Sequence, residues 1–395
     1  MLRAIITGRL DPYSTYGAAA MKSVTDWCIE CGMCAVECPS NVNIPKLMLE
    51  AKSKYREAHR GSPLELVLGH AEATSALGRW LAPLANPVLA QPLLRRLSEP
   101  LTGIDRRRRM PRFARRTLEQ TMGGPSGMRR SVTLSAAAPL ATAARVPGVR
   151  LPLVAYFSDL YAAYNDPDLG LAVIRLLQAH GIEVMLPEQR ASGIPEMLYG
   201  YAAAARETAE FNVQAMLPWV RRGAAVLSAE PTATFAFKVH YPDYLSSDDC
   251  SAVAGATHDL GEFLVRYRAD HPDRSPAADP LGGAWSSVTQ IAYHQPCHLK
   301  AQGIDNPGAE LLREIPGIEV IDLAAGCCGM AGTFGMKRET YDFSMLTGAP
   351  RFERIAALAP DLVTSECSTC RMQIAEATSL QTVHPVILLA AAYGV

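Results

Sequence analysis

The chain has 395 residues, 49% of them apolar and 19% charged, a balance that suits two or three folded domains and leaves little room for extended disorder. A formal net charge of -1 offers no global excess to recruit nucleic acid. No run of about 18 apolar residues occurs, so no transmembrane helix is expected.

Met1 to Ala20 lack the long apolar core of a secretory signal, which points to the cytoplasm. In that reducing compartment clustered cysteines hold metal more often than they form disulfides. Of the ten cysteines, nine fall into two tight sets. Cys250 stands alone and reads as a packed thiol.

The first set is Cys28-Ile-Glu-Cys31-Gly-Met-Cys34-Ala-Val-Glu-Cys38-Pro39, the C-x2-C-x2-C-x3-C-P run of bacterial ferredoxins. Close spacing lets successive thiolates wrap one corner of a 4Fe–4S cubane, Gly32 lets the backbone approach, and Pro39 turns the chain away. A zinc knuckle is the competing reading, but zinc favours two separated C-x2-C pairs. In two-cluster ferredoxins the fourth cysteine serves the other cluster, and residues 1–27 hold no cysteine. Whether Cys38 binds locally or has lost its partner motif stays open.

Helical periodicity follows over Lys46–Arg60 and Leu64–Leu97, broken by Pro83, Pro87 and Pro92. The apolar stretch Trp80–Leu94 is expected to pack on the ferredoxin-type domain, with membrane or partner docking as the alternative. Arg106–Arg109, Arg112, Arg115 and Arg116 form a basic patch. It reads as a solvated face, or as a contact for acidic headgroups or a partner subunit. No aromatic interleaving or nucleic-acid motif accompanies it. The Gly-, Ala-, Ser- and Pro-rich stretch 121–150 reads as a linker.

Beyond it lie two α/β halves. Leu153–Phe157, Gly181–Leu186 and Ala224–Ser228 read as strands, with Asp168–His180 and Pro195–Val220 as helices. Thr289–Tyr293, Glu319–Leu323 and Leu362–Ser365 repeat them, with helices over Pro307–Ile315 and Glu339–Leu358. The second cysteine set belongs to this second half: His294-Gln-Pro-Cys297-His298, Gly326-Cys327-Cys328-Gly329 and Cys367-Ser-Thr-Cys370. Adjacent cysteines suit neighbouring irons better than one zinc, and strand C-termini are the usual site of an open α/β sheet. Val154-Ala-Tyr-Phe parallels Ile291-Ala-Tyr-His, and Gly181-Ile-Glu-Val parallels Gly317-Ile-Glu-Val. Carried along the chain, the repeat sets Leu160 opposite Cys297, and Ala191 and Ser192 opposite Cys327 and Cys328. Pro231 and Thr234 fall opposite Cys367 and Cys370. The first half is thus a copy without ligands. His294, His298 and His384 are expected to hydrogen-bond around the site rather than ligate. No G-x-G-x-x-G follows a strand, so no flavin is expected on this chain.

These strings resemble the iron–sulfur C subunit of anaerobic glycerol-3-phosphate dehydrogenase, the iron–sulfur half of fused FAD-linked oxidases and the glycolate oxidase iron–sulfur subunit. The resemblance rests on Cys38-Pro-Ser-Asn-Val-Asn-Ile-Pro-Lys-Leu-Met-Leu-Glu-Ala-Lys, Gly103-Ile-Asp-Arg-Arg-Arg-Arg, Tyr293-His-Gln-Pro-Cys-His, Cys327-Cys-Gly-Met-Ala-Gly-Thr-Phe-Gly and Glu366-Cys-Ser-Thr-Cys-Arg. The paired halves resemble the cysteine-rich CCG domains of the heterodisulfide reductase B subunit. The stretch Met1-Leu-Arg-Ala-Ile-Ile-Thr-Gly-Arg-Leu-Asp-Pro resembles the segment after the first ferredoxin motif in fused relatives, as a truncated or split gene would leave it.

The resemblance implies a mixed α+β and α/β fold. A helical ferredoxin-type domain (1–60) precedes a helical segment (61–125), a linker (126–150), a CCG-like half without cysteines (151–257) and a cluster-binding CCG half (258–395). It implies a ferredoxin-type 4Fe–4S cluster on Cys28, Cys31, Cys34 and Cys38. A second 4Fe–4S cluster, cubane or non-cubane, would sit on Cys297, Cys327, Cys328, Cys367 and Cys370. The implied role is electron transfer from a separate FAD-dependent dehydrogenase, acting on glycerol 3-phosphate or a 2-hydroxy acid, toward membrane quinone. The chain would be cytoplasmic or peripheral on the inner membrane and not catalytic alone. The alternative is a disulfide or persulfide reductase acting at the C-terminal cluster.

Overall fold

The computed structural model describes residues 3–4, 7–11, 14–40, 42–122, 132–133, 152–324 and 326–395. Its N-terminal part is helical. Thr15–Thr25 packs on Ile44–Ala58, burying Met21, Leu49 and Ala51. The second of these helices starts where the Asn43 side chain accepts the Lys46 N–H at 3.1 Å and Pro45 occupies the first turn. Between them runs the Cys28–Cys38 segment, with a single short turn of helix, Met33–Val36.

The stretch expected as Leu64–Leu97 is four short helices, Pro63–Gly69, Ala71–Trp80, Ala82–Ala90 and Pro92–Thr102. Prolines there start helices more than they break them. Pro63, Pro83 and Pro92 lie in first turns, where no N–H is required, and only Pro87 and Pro100 sit inside. A capping box between Ser62 and Glu65 opens the first, and Gly103 in the left-handed region closes the last.

The α/β part holds two sheets. Strands are numbered in chain order: β1 Val132–Thr133, β2 Leu153–Tyr156, β3 Glu183–Leu186, β4 Ala225–Ser228, β5 Thr257–Asp259, β6 Gln290–Tyr293, β7 Glu319–Asp322, β8 Leu362–Thr364 and β9 Thr382–Val383. The sheet orders are β1-β3-β2-β4-β5 and β7-β6-β8-β9. All pairs are parallel except β1 with β3. The registers match across the two: Val154 lies opposite Val184 and Ala225, and Ile291 opposite Val320 and Leu362.

Some local expectations change. β5 and β9 are additional last strands, too short to show a period of two. The helix expected over Pro195–Val220 is two, Ile194–Leu198 and Ala202–Val220, parted at Gly200 with φ +76°. Within the expected linker 126–150, Val132–Thr133 pair antiparallel with β3; the rest of that stretch lies outside the described residues. The core continues across both sheets, from Val154, Leu176 and Val184 in the first half to Ile291, Leu312 and Leu389 in the second. Parallel strands buried on both faces explain why these runs are uniformly apolar.

Candidate metal centres

The second cysteine set is assembled at the C-terminal ends of three strands. Cys297 opens the helix after β6, Cys327 and Cys328 lie in the loop after β7, and Cys367 and Cys370 begin the helix after β8. β6 lies between β7 and β8, so the connections on its two sides diverge and leave the crevice where doubly wound sheets bind their ligands.

Cys328, Cys367 and Cys370 are buried, and Cys297 and Cys327 partly so. Cys328 Sγ and Cys370 Sγ stand 3.2 Å apart, too far for a disulfide. The Gly329 N–H points at Cys327 Sγ at 3.2 Å and the Thr369 hydroxyl lies 3.2 Å from Cys367 Sγ. Such donors tune a bound cluster. His294, Cys328 and Cys370 bring their donor atoms within 4.8 Å of one another, the one such trio among the described residues. His294 Nδ1 is buried without a hydrogen-bond partner. His294 thus lies beside Cys328, where its hydrogen bond helps the neighbouring thiols hold the Cys328 proton affinity down.

The proton affinities of these thiols reflect their crowding and burial. Burial and the charges of Cys367 and Cys328 push the Cys297 thiol well up. Hydrogen bonds between neighbouring thiols push Cys327 and Cys370 up, hold Cys328 well down and bring Cys367 to about 6. Thiolates this crowded repel one another, and a bound cation would offset that repulsion. Soft sulfur donors gathered in this way fit an iron–sulfur group.

Three arginines are buried beside this centre. Arg108 donates from Nε and Nη2 to the Gly335 carbonyl at 2.9 and 2.7 Å and from Nη1 to Gln373, and lies against Tyr341. Arg351 donates to the Leu323 carbonyl; burial lowers its proton affinity, and the nearby Cys328 and Cys327 thiolates offset part of that. Arg371 stacks over Tyr161. Arg108 comes from the basic patch expected to be solvated. Its neighbours explain the difference: Arg107 pairs outward with Asp105 and Asp342, while Arg108 turns in to Glu376.

In the first set, the Lys52 ammonium donates to the Cys28 carbonyl at 2.6 Å. Burial, and next the Glu30 carboxylate, push the Cys28 thiol up to about 12, and burial raises Glu30 to about 7. Cys28 donates to Glu30 Oε1 at 3.1 Å, and Cys38 Sγ accepts the Val42 N–H at 3.4 Å. Cys34 is exposed. A four-iron cubane needs thiolates more widely spread than a single ion does, and this run winds its four around a left-handed Glu30 and Gly32.

One chamber of about 370 Å³ is lined by Cys31 of the first set and by all five C-terminal cysteines. The cysteine-free half contributes Leu160, Ala191 and Ser192 to the same walls, and Leu68, Ile104 and Phe113 come from the helical segment. Among the described residues, no lysine or arginine lines it. Glu230, which precedes Pro231 as Glu366 precedes Cys367, accepts the Ser368 N–H at 3.0 Å and so holds the Cys367–Cys370 turn from across the repeat. His384 lies elsewhere: its Nδ1 caps the helix Pro385–Ala392 and its Nε2 bonds the Ala229 carbonyl. Cys250 is packed in the core of the first half.

The cysteine-rich (CCG) domain family matches residues 291–375. Over 358 residues the chain is 32% identical to the C subunit of anaerobic glycerol-3-phosphate dehydrogenase of Escherichia coli, covering 90% of this chain and 83% of that one. It is 27% identical over 235 residues to the D subunit of dihydromethanophenazine:CoB–CoM heterodisulfide reductase of Methanosarcina barkeri, 56% of this chain and 53% of the relative. It is 24% identical over 390 residues to D-2-hydroxyglutarate dehydrogenase of Escherichia coli, 93% of this chain and 34% of the relative.

Proposed function

The chain belongs to the family of the anaerobic glycerol-3-phosphate dehydrogenase C subunit, and from that premise we propose that it relays electrons from an FAD-dependent dehydrogenase, of the glycerol-3-phosphate or 2-hydroxy acid type, toward membrane quinone. It is an iron–sulfur, electron-transport protein. Bound iron–sulfur clusters supply one-electron chemistry at potentials set by charge, hydrogen bonds and exposure. The 4Fe–4S assignment gives one cluster to Cys28, Cys31, Cys34 and Cys38. It gives the other to Cys297, Cys327, Cys328, Cys367 and Cys370.

The observation that carries this reading is the shared chamber: Cys31 and the five C-terminal cysteines line one space. Two redox groups there would be neighbours. Its walls are largely apolar, with Leu68, Ile104 and Phe113 among them, and also include the acidic residues Glu30, Asp159, Glu196 and Glu230.

Docking to an anionic bilayer surface draws its support from the helical segment. No helix of the described residues is long and apolar enough to cross a membrane. Yet Trp80, Leu84, Leu93, Leu97 and Leu101 are strongly exposed, and the exposed Arg96, Arg106, Arg109 and Arg112 lie close by in sequence. Apolar side chains flanked by arginines are the makings of an interfacial face.

The test is anaerobic reconstitution with iron and sulfide, followed by a redox titration monitored by EPR. Two distinct 4Fe–4S signals are expected, and Cys328→Ser should remove one while sparing the other. Stoichiometric zinc without iron would overturn the proposal. A disulfide reductase activity has one supporting observation, that the chamber reaches Cys327 and Cys328. Turnover of a disulfide by the dye-reduced protein would favour it.

A further inference from the structure

The N-terminal cysteine run and the C-terminal half meet at one side chain that neither set needs as a ligand. His298 follows Cys297 and lines the chamber. Its Nε2 lies 2.8 Å from the main-chain oxygen of Glu30, inside the Cys28–Cys31 turn. A carbonyl only accepts, so Nε2 carries the proton. Nδ1, 2.9 Å from Thr232 Oγ1, then accepts from that hydroxyl. Both nitrogens are thereby engaged, and no lone pair is left for a metal. The ring lies flat on Phe235, with centroids 4.7 Å apart and planes at 8°.

Thr232 and Phe235 belong to the helix Pro231–Phe235 of the cysteine-free half, the counterpart of the Cys367–Cys370 turn. The same helix also holds Gln302, one turn beyond His298: its amide donates to Thr234 Oγ1 at 3.1 Å and to the Pro231 carbonyl at 3.3 Å. From the other side, Gly32 presses its bare backbone into the joint. A Cβ there would fall 2.9 Å from both Ala301 Cβ and Phe235 Cζ, at a φ of +75°. The turn Met33–Val36 packs on the helix Cys297–Ala301. Three separate parts of the chain therefore converge on one imidazole.

We propose that His298, mounted on Thr232 and Phe235, is a positioning residue that fixes the N-terminal cysteine run against the C-terminal one, and that the cysteine-free half serves as its mount. The transfer it serves moves one electron between the two sites, with no bond made or broken. The proposal rests on reading both cysteine sets as cluster sites, and iron and sulfide contents test that reading separately.

The test uses the full chain, reconstituted anaerobically. His298→Phe keeps the stack on Phe235 and removes both hydrogen bonds. Thr232→Val removes one of them from outside the cysteine-bearing half, and His298→Gln can restore a donor to the Glu30 carbonyl. Iron and sulfide content, the EPR signal of each site, their magnetic interaction when both are reduced, and the rate of electron exchange between them are measured. His298→Phe should retain iron, sulfide and both signals, weaken the magnetic interaction, and slow exchange several-fold. Thr232→Val should shift the same readouts less, and His298→Gln should recover part of the rate. Unchanged interaction and exchange in His298→Phe would overturn the proposal. So would loss of iron from the C-terminal site in that variant, which would make His298 a support of that site alone. Should His298→Phe fail to fold, Thr232→Val decides, and an unchanged exchange rate there is fatal. Wild-type protein that takes up no iron sinks the cluster reading itself.

Discussion

A run of four arginines says nothing by itself about which one is inside. Arg106 is exposed beside Glu99, whereas Arg108 is fully buried and satisfied by Gly335, Gln373 and Glu376, more than 200 residues away in sequence. A lysine cannot reproduce that planar fork. Arg108→Lys is expected to cost about 2 kcal/mol, as leaving buried hydrogen-bonding groups unpaired does, and to loosen iron at the C-terminal site, whose Ala331–Met336 loop it anchors. Arg106→Lys should stay within about 0.5 kcal/mol. Denaturant unfolding with parallel iron analysis distinguishes them, and equal effects would refute the assigned burial. At this scale the grouping of the cysteines was legible in their spacing, and so was His294 as their neighbour. Arg108 inside was not, because its role arises from partners brought together only by folding.

Backbone contact governs the element that carries Cys327 and Cys328. A Cβ on Gly329 would lie 2.0 Å from the Ser344 carbonyl oxygen, and one on Gly348 would lie 2.4 Å from the Cys328 oxygen. The loop after β7 and the helix Tyr341–Leu358 thus touch main chain to main chain, held by the Ser344 hydroxyl donating to the Gly329 carbonyl at 2.7 Å. Gly329 also has φ +88°, which an L side chain resists. Gly329→Ala is expected to cost more than about 1 kcal/mol and to halve the iron bound, abolishing the C-terminal EPR signal while the N-terminal one persists. Loss of both signals, or of neither, would contradict a local role. That glycines flank Cys327 and Cys328 was legible. That Gly348, inside a helix, is the matching half of the contact was not, since helical periodicity does not record where two backbones meet. Periodicity likewise merged four helices between Pro63 and Thr102, because a proline reads the same whether it starts a helix or ends one.

The whole molecule sets an inner chamber, lined by Cys31 and the C-terminal cysteines, against an apolar face turned outward. The parallel sheets were legible as a repeat, since buried strands keep the same apolar runs in both copies. How the helical segment meets them was not, and the expectation that Trp80–Leu94 packs inward fails for its largest side chains: Trp80 is 75% and Leu84 71% exposed. Leu93, Leu97 and Leu101 recur at helical spacing along Pro92–Thr102, all exposed, so they lie on one face. A face that served only internal packing would not leave these side chains in water, where contiguous apolar patches mark interaction sites. If its occupant is an anionic bilayer, the double variant Leu97→Glu with Leu101→Glu adds two negative charges where apolar groups should enter. Co-sedimentation with phosphatidylglycerol-containing vesicles should then fall at least about tenfold, a loss of ~1.4 kcal/mol. Because neither leucine supports the core, thermal stability and cluster content should hold. Binding of the wild type should weaken with salt, since flanking arginines act across no more than about 10 Å at 0.1 M. Vesicle binding unaffected by the two glutamates would remove the bilayer as occupant and leave this face to a protein partner.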